Sequence, residues 1–197
     1  MKPFEERRFD IPELKGISSK TIEEHLKLYA GYVKNLNGIF TQLGELMADP
    51  AKNAYTIGEL HRRIGFEFNG MRNHEIYFAS LEGGAQPLPE DSEFKKTLES
   101  VAPSFDAAIG GFKTLAMTRG IGWAILYWDK ASQQLVPAWI DEQHLGQLQG
   151  ASPVLALDMW EHSYVADYQP SGKKQYVEDF FANLNWTKIE ENFKNAK

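Results

Sequence analysis

The chain has no cysteine in its 197 residues. A disulfide framework, a thiolate metal ligand and a thiol nucleophile are all excluded. Any bound metal must be held by nitrogen and oxygen donors, which suits Mn, Fe or Zn and rules out iron–sulfur chemistry. Long apolar runs are also missing. None approaches the roughly 18 residues needed to cross a bilayer, so no membrane partner is expected. The opening MKPFEERRFD is charged and has no apolar core, so no secretory signal is expected and a cytoplasmic location is. Positive charge is in deficit: Lys and Arg number 21 against 27 Asp and Glu, for a formal net charge of −6. That balance argues against nucleic acid as a partner but leaves room for a small anion drawn in by a local positive funnel.

The composition that remains is that of a globular protein. Apolar residues make up 43% and aromatics 13%, enough for one ordinary domain or two small ones sharing an interface. Residues 1–18 read as extended, broken by Pro12 and Gly16. Ser18 or Ser19 can cap a helix starting there, with Glu23 a loose fit to a capping box. Helical periodicity then runs over 20–47 through Ile22, His25, Leu28, Tyr32, Leu36, Ile39, Leu43 and Leu46. A turn at 48–55 leads into a second helix over 57–81, with Leu60, Ile64, Phe68, Met71 and Ile76 near one face. Two long helices joined by a short turn predict an antiparallel hairpin. EGGAQPLPED at 82–91 is the candidate linker.

The second half changes character. Residues 92–118 predict one or two helices interrupted near Pro103. The apolar and aromatic runs 123–129, 135–140 and 153–158 predict three strands, the first two forming a hairpin despite Pro137. Helices are predicted at 173–184 and 186–194. The fold class is α + α/β: a helical hairpin domain over 1–85, then an α/β domain over 86–197 with a small three-stranded antiparallel sheet.

The pentad DMWEH, Asp158 to His162, carries the chemistry. Asp158 ends a strongly apolar strand, and a buried carboxylate is costly unless paired, hydrogen-bonded or bound to a metal. His162 comes four residues later, so a helix or turn starting there lets both side chains converge on one point. His25 and His74 lie on the two long helices. Alone, each histidine reads as a core group, and Glu161 with His162 as a surface pair. Together, three His and one Asp form an N3O set suited to iron or manganese, with His61 and His144 as alternatives. A zinc hydrolase or a non-heme iron oxygenase would need a more open site for an organic substrate.

DMWEHSYVADY resembles the D-x-W-E-H-x-Y signature of the iron/manganese superoxide dismutase family. TIEEH with YVKNLN, FNGMRNHEIYF, GIGWAIL and FFANLNWTKIEENF resemble further segments of that family in the same order. The resemblance implies a superoxide dismutase that disproportionates two superoxide anions to dioxygen and hydrogen peroxide. One Fe or Mn ion per subunit would be alternately reduced and oxidised by one electron. It implies His25, His74, Asp158 and His162 as metal ligands, Tyr32 as the channel tyrosine, and Trp123 and Trp160 as pocket walls. Glu161 and Tyr164 would lie at the interface of a homodimer, or of a tetramer built from dimers.

The chain also departs from the family pattern. His25 stands one position closer to Tyr32 than the family spacing, which implies a local helix irregularity. Leu28 and Tyr29 replace a histidine pair. Gly70 stands where iron enzymes place a glutamine, so Gln143 or His144 is expected to supply the outer hydrogen bond. The family's channel arginine is missing, leaving Lys173 or Lys174 as the candidate positive charge. A non-catalytic structural or assembly protein on the same fold is the alternative function.

Overall fold

The computed structural model describes residues 2–197. The first long helix, α1, spans Ser19–Leu46, and Ser18 caps it by accepting a hydrogen bond from the Thr21 amide at 3.2 Å. Thr21 occupies the capping-box position, and Glu23 is exposed. The second helix, α2, spans Ala54–Ala79 and packs on α1 as the expected hairpin.

The buried stripe of α1 departs from the expected one. It runs Ile22, His25, Tyr29, Val33, Leu36, Ile39 and Leu43, while Leu28 is 43% exposed. Steps of three or four from His25 land on Tyr29 and Val33, and Leu28 falls off that face. Nor does α1 contain the implied irregularity. Seven residues make about two helical turns, so a regular helix sets His25 and Tyr32 on one side.

On α2 the buried face is largely polar: Glu67, Asn73, His74 and Glu75 are buried, whereas Phe68 is 36% exposed. Buried polar residues on a core-facing helix require partners. Glu75 receives the Tyr29 hydroxyl at 3.1 Å and Arg72 at 2.6 Å, and Glu67 receives Arg63 at 2.8 Å.

The second half begins with helices α3 (Glu93–Glu99) and α4 (Phe105–Ala116). They separate at Pro103, and Ser104 caps α4 through the Ala107 amide. Strands β1 (Gly122–Asp129), β2 (Gln134–Asp141) and β3 (Ala151–Asp158) form an antiparallel sheet in the order β2-β1-β3. Pro137 is tolerated because β2 is an edge strand. Pro153 sits where the β1–β3 register shifts, since Leu126 faces Leu155 but Tyr127 faces Pro153; such bulges accommodate proline. The central strand β1 is buried from Gly122 to Trp128. Gly122 has φ +153°, and a Cβ there would lie 2.0 Å from the Ile140 carbonyl oxygen. Only glycine fits that strand start.

Helices α5 (Val165–Tyr168), α6 (Lys173–Ala182) and α7 (Trp186–Ala196) complete the chain. One hydrophobic cluster joins both halves, from Tyr29 and Leu36 on α1 to Trp123 on β1 and Phe193 on α7. Among the described residues, no helix is long and apolar enough to cross a membrane.

Candidate metal centre

The sheet register sets the site. Asp158, the last residue of β3, pairs with Trp123 at the start of β1. The chain then turns through a short 3-10 segment, Glu161–Ser163, which carries His162 back toward Asp158. α1 and α2 pack over this end of the sheet and contribute His25 and His74.

The four side chains converge. His25 Nε2 lies 3.0 Å from Asp158 Oδ2, His162 Nε2 lies 3.1 Å from it and His74 Nε2 lies 3.6 Å from it. One donor atom from each residue falls within 4.8 Å of the others. His25, His74 and Asp158 are fully enclosed, while the His162 side chain keeps 24% exposure.

Protonation fits ligation. Burial, helped by the neighbouring His25, pushes the His74 imidazole down to about 3, so it is neutral at pH 7. Its Nδ1 donates to the Gly70 carbonyl at 2.6 Å, which leaves the Nε2 lone pair facing the cluster. Burial also lowers His25, against an upward pull from Asp158. For Asp158, burial pushes the carboxyl up, but His162 and His25 outweigh it and hold the group below its ordinary 3.8. Its second oxygen, Oδ1, accepts the Trp160 amide at 2.8 Å.

His74 Nε2 is buried with no hydrogen-bond partner. An orphaned buried nitrogen costs on the order of 1–3 kcal/mol, and a metal ion at the cluster centre removes that cost. First-row ions sit about 2.0–2.2 Å from imidazole nitrogen and carboxylate oxygen, so neighbouring donors at bond angles of roughly 90–120° lie about 3.0–3.6 Å apart. The three spacings from Asp158 Oδ2 match. Three imidazoles and one carboxylate fit iron or manganese.

A second layer surrounds the donors. Trp123 Nε1 donates to Gln143 Oε1 at 2.8 Å, and Gln143 Nε2 donates to the Tyr32 hydroxyl at 2.9 Å. This chain joins β1, the turn after β2 and α1. Trp123 meets the His74 ring edge-on at 5.0 Å, and the Tyr32 ring lies 5.1 Å from it. Trp160 stacks on His162 at 5.8 Å and donates from Nε1 to the Glu142 carbonyl.

A model of the iron/manganese superoxide dismutase C-terminal domain matches residues 90–192. The iron superoxide dismutase of Aquifex pyrophilus is 35% identical over 93% of this chain and 87% of its own length. The chain belongs to the iron/manganese superoxide dismutase family. The iron superoxide dismutase of Cupriavidus metallidurans is also 35% identical, over 92% of this chain and 90% of its own length. A manganese superoxide dismutase of Mycolicibacterium paratuberculosis is 29% identical over 86% of this chain and 80% of its own length. Relatives named for either metal therefore match this dismutase-family chain.

Not every residue singled out in the sequence reaches the centre. His144, the alternative to Gln143, lies against Phe66 at 5.8 Å with its Nδ1 unpartnered. His61 is exposed and binds the Ile57 carbonyl one turn back. Lys173 directs its amine to the Thr118 carbonyl at 2.7 Å. Lys174 lines a surface cavity with Lys113 and Glu178. Glu161 is exposed, and Tyr164 stacks on Tyr176 at 5.3 Å.

Sequence reasoning missed Tyr176. Its hydroxyl lies 3.0 Å from the Asp158 carbonyl and 3.2 Å from the Tyr77 hydroxyl, and Ser163 Oγ reaches the same carbonyl at 3.1 Å. These contacts fix the backbone that presents the carboxylate. In the sequence Tyr176 is one aromatic among many on an amphipathic helix, with no chemical signal to single it out.

Proposed function

We propose that this chain is a superoxide dismutase using one Fe or Mn ion held by His25, His74, Asp158 and His162. The overall reaction converts two superoxide anions and two protons to dioxygen and hydrogen peroxide. The observation that carries the reading is the convergence of three imidazoles and one carboxylate beside the Tyr32–Gln143–Trp123 chain. The bound ion supplies the one-electron chemistry by cycling between two oxidation states.

The chain's own residues supply the rest. Asp158 contributes the one carboxylate donor beside three imidazoles. Tyr32 is held above its ordinary 10.0, chiefly by burial and then by the charges of Asp158 and Glu67, so its hydroxyl stays protonated at neutral pH. That phenol can give a proton to reduced superoxide and recover it from solvent. Gln143 fixes the phenol oxygen through its amide and is itself fixed by the Trp123 indole. Trp123 and Trp160 wall the pocket against bulk water and larger molecules. A second copy of the chain packs against the exposed Glu161, whose carboxylate reaches the half-open His162 ring of that copy, with Tyr164 beside the contact.

Elemental analysis of protein produced with both metals available, together with dismutation assays of each loaded form, tests this reading. Near-stoichiometric Fe or Mn with rapid dismutation supports it. A protein that holds neither metal returns the chain to the structural-partner alternative. Sedimentation of the wild type against Glu161→Gln tests the dimer, which the reading expects the substitution to weaken.

A further inference from the structure

A cavity of about 280 Å³ between α1 and α2 is lined by Tyr32, Arg63, Phe66 and Glu67, together with Lys27 and Leu28. The Arg63 guanidinium carbon lies 3.8 Å from the Phe66 ring centroid, and Phe66 packs on Tyr32 at 5.9 Å. Arg63 Nε donates to Glu67 Oε1 at 2.8 Å. The pair is lopsided: the Glu67 side chain is 4% exposed and that of Arg63 is 49% exposed. Its positive end meets solvent, and its negative end is hidden. Glu67 Oε2 has no partner, so the carboxylate is committed to Arg63.

Two other candidate cations, Lys27 and Lys173, are occupied. Lys27 pairs with Glu24 at 2.7 Å with both groups exposed, which largely cancels the charge at that point. Lys173 is spent on the Thr118 carbonyl and lies 5.5 Å from the Trp139 ring.

Resting on the dismutase reading, we propose that Arg63 guides the substrate anion into this cavity toward Tyr32, and that Glu67 positions the guanidinium. A guanidinium seated on an aromatic face and tied along one edge keeps its remaining N–H donors aimed. Arg63 acts on capture, before any electron moves.

The test measures kcat/KM by pulse radiolysis on metal-loaded protein across ionic strength, with calorimetric titration of azide as an equilibrium readout for a small monoanion. Arg63→Gln should lower kcat/KM by roughly two- to fivefold at low salt and flatten its salt dependence. It should weaken azide binding by a similar factor and leave kcat unchanged. Arg63→Lys should restore most of the low-salt rate. Glu67→Gln keeps an amide oxygen that can accept from Arg63 Nε, so the guanidinium stays positioned, but removes the hidden negative charge and should raise kcat/KM at low salt. A purely structural pair would instead lower both. The wild-type salt slope and azide affinity in Arg63→Gln, or a fall in Glu67→Gln equal to that in Arg63→Gln, overturns the proposal. Absence of dismutation in the wild type would sink the activity reading instead, and the azide comparison would still decide the role of Arg63.

Discussion

Replacing Gly70 with alanine should destabilise this protein, although the same change elsewhere on α2 should stabilise it. Alanine outranks glycine inside a helix by about 0.8–1.0 kcal/mol. At exposed Gly58 an added Cβ meets nothing within 4 Å. Gly58→Ala should therefore gain close to that amount, or about 2–4 °C in Tm for a domain of this size. At Gly70 the added Cβ would lie 2.5 Å from both Cδ1 and Cε1 of Tyr32. Retreat of the ring is opposed, because it packs against Phe66 and His74 and its hydroxyl is held by Gln143. Forcing a methyl into such packing costs roughly 1–3 kcal/mol. Set against the helix gain, the net loss is on the order of 1 kcal/mol, and Tm falls by about 2–4 °C. Calorimetry on both metal-free variants reads the two signs, and dismutation by the loaded forms reads the displacement of Tyr32. If Gly70→Ala stabilises as much as Gly58→Ala and keeps full activity, the phenol is not wedged against α2 and the reasoning fails.

Three further outcomes are expected. Asp158→Asn should reduce metal content from stoichiometric to trace while leaving a folded chain by circular dichroism; retained metal would show that the three imidazoles suffice. Tyr32→Phe should keep its metal and lose turnover at saturating superoxide far more than capture at low superoxide, and an unchanged kcat would remove the phenol from the proton path. Glu190 accepts Ser92 Oγ and the amides of Glu93 and Phe94. Burial pushes its carboxyl up, but those donors and Lys194 hold it below its ordinary 4.5. A depressed carboxyl stabilises the fold above its unfolded value and loses that contribution as pH falls through the folded value. Wild type should thus exceed Glu190→Gln by about 1–2 kcal/mol at neutral pH, with the gap closing as pH falls below 4.5. A gap that does not change with pH in denaturant titrations would contradict this.

The departures of the fold from sequence expectation have physical causes. On α1 the expected stripe tracked hydrophobicity and took in Leu28; the buried neighbour is Tyr29, whose hydroxyl is satisfied by the Arg7 amide and Glu75. On α2 the expected stripe included Phe68, but the core-facing side is polar because it belongs to the centre. The unusual spacing of His25 and Tyr32 implied a distorted helix, yet two regular turns accommodate it. Gln143 and His144 are neighbours in a turn where Glu142 has φ +52°. Periodicity cannot decide which of two adjacent side chains points inward.

By itself the sequence determined the hairpin and the three antiparallel strands, and its resemblance to the dismutase family implied the four donor residues. The elements rest on local periodicity and on breakers such as Pro103, and the donors on the match to a family signature. The tertiary structure decided that the donors meet around one point, that Gln143 rather than His144 bridges Trp123 and Tyr32, and that Tyr176 steadies the Asp158 backbone. It also decided that Arg63 and Glu67 share a cavity with Tyr32. Those facts depend on how α1 and α2 pack against the end of the sheet. Packing is settled by non-local burial and hydrogen bonding, which no window along the chain contains.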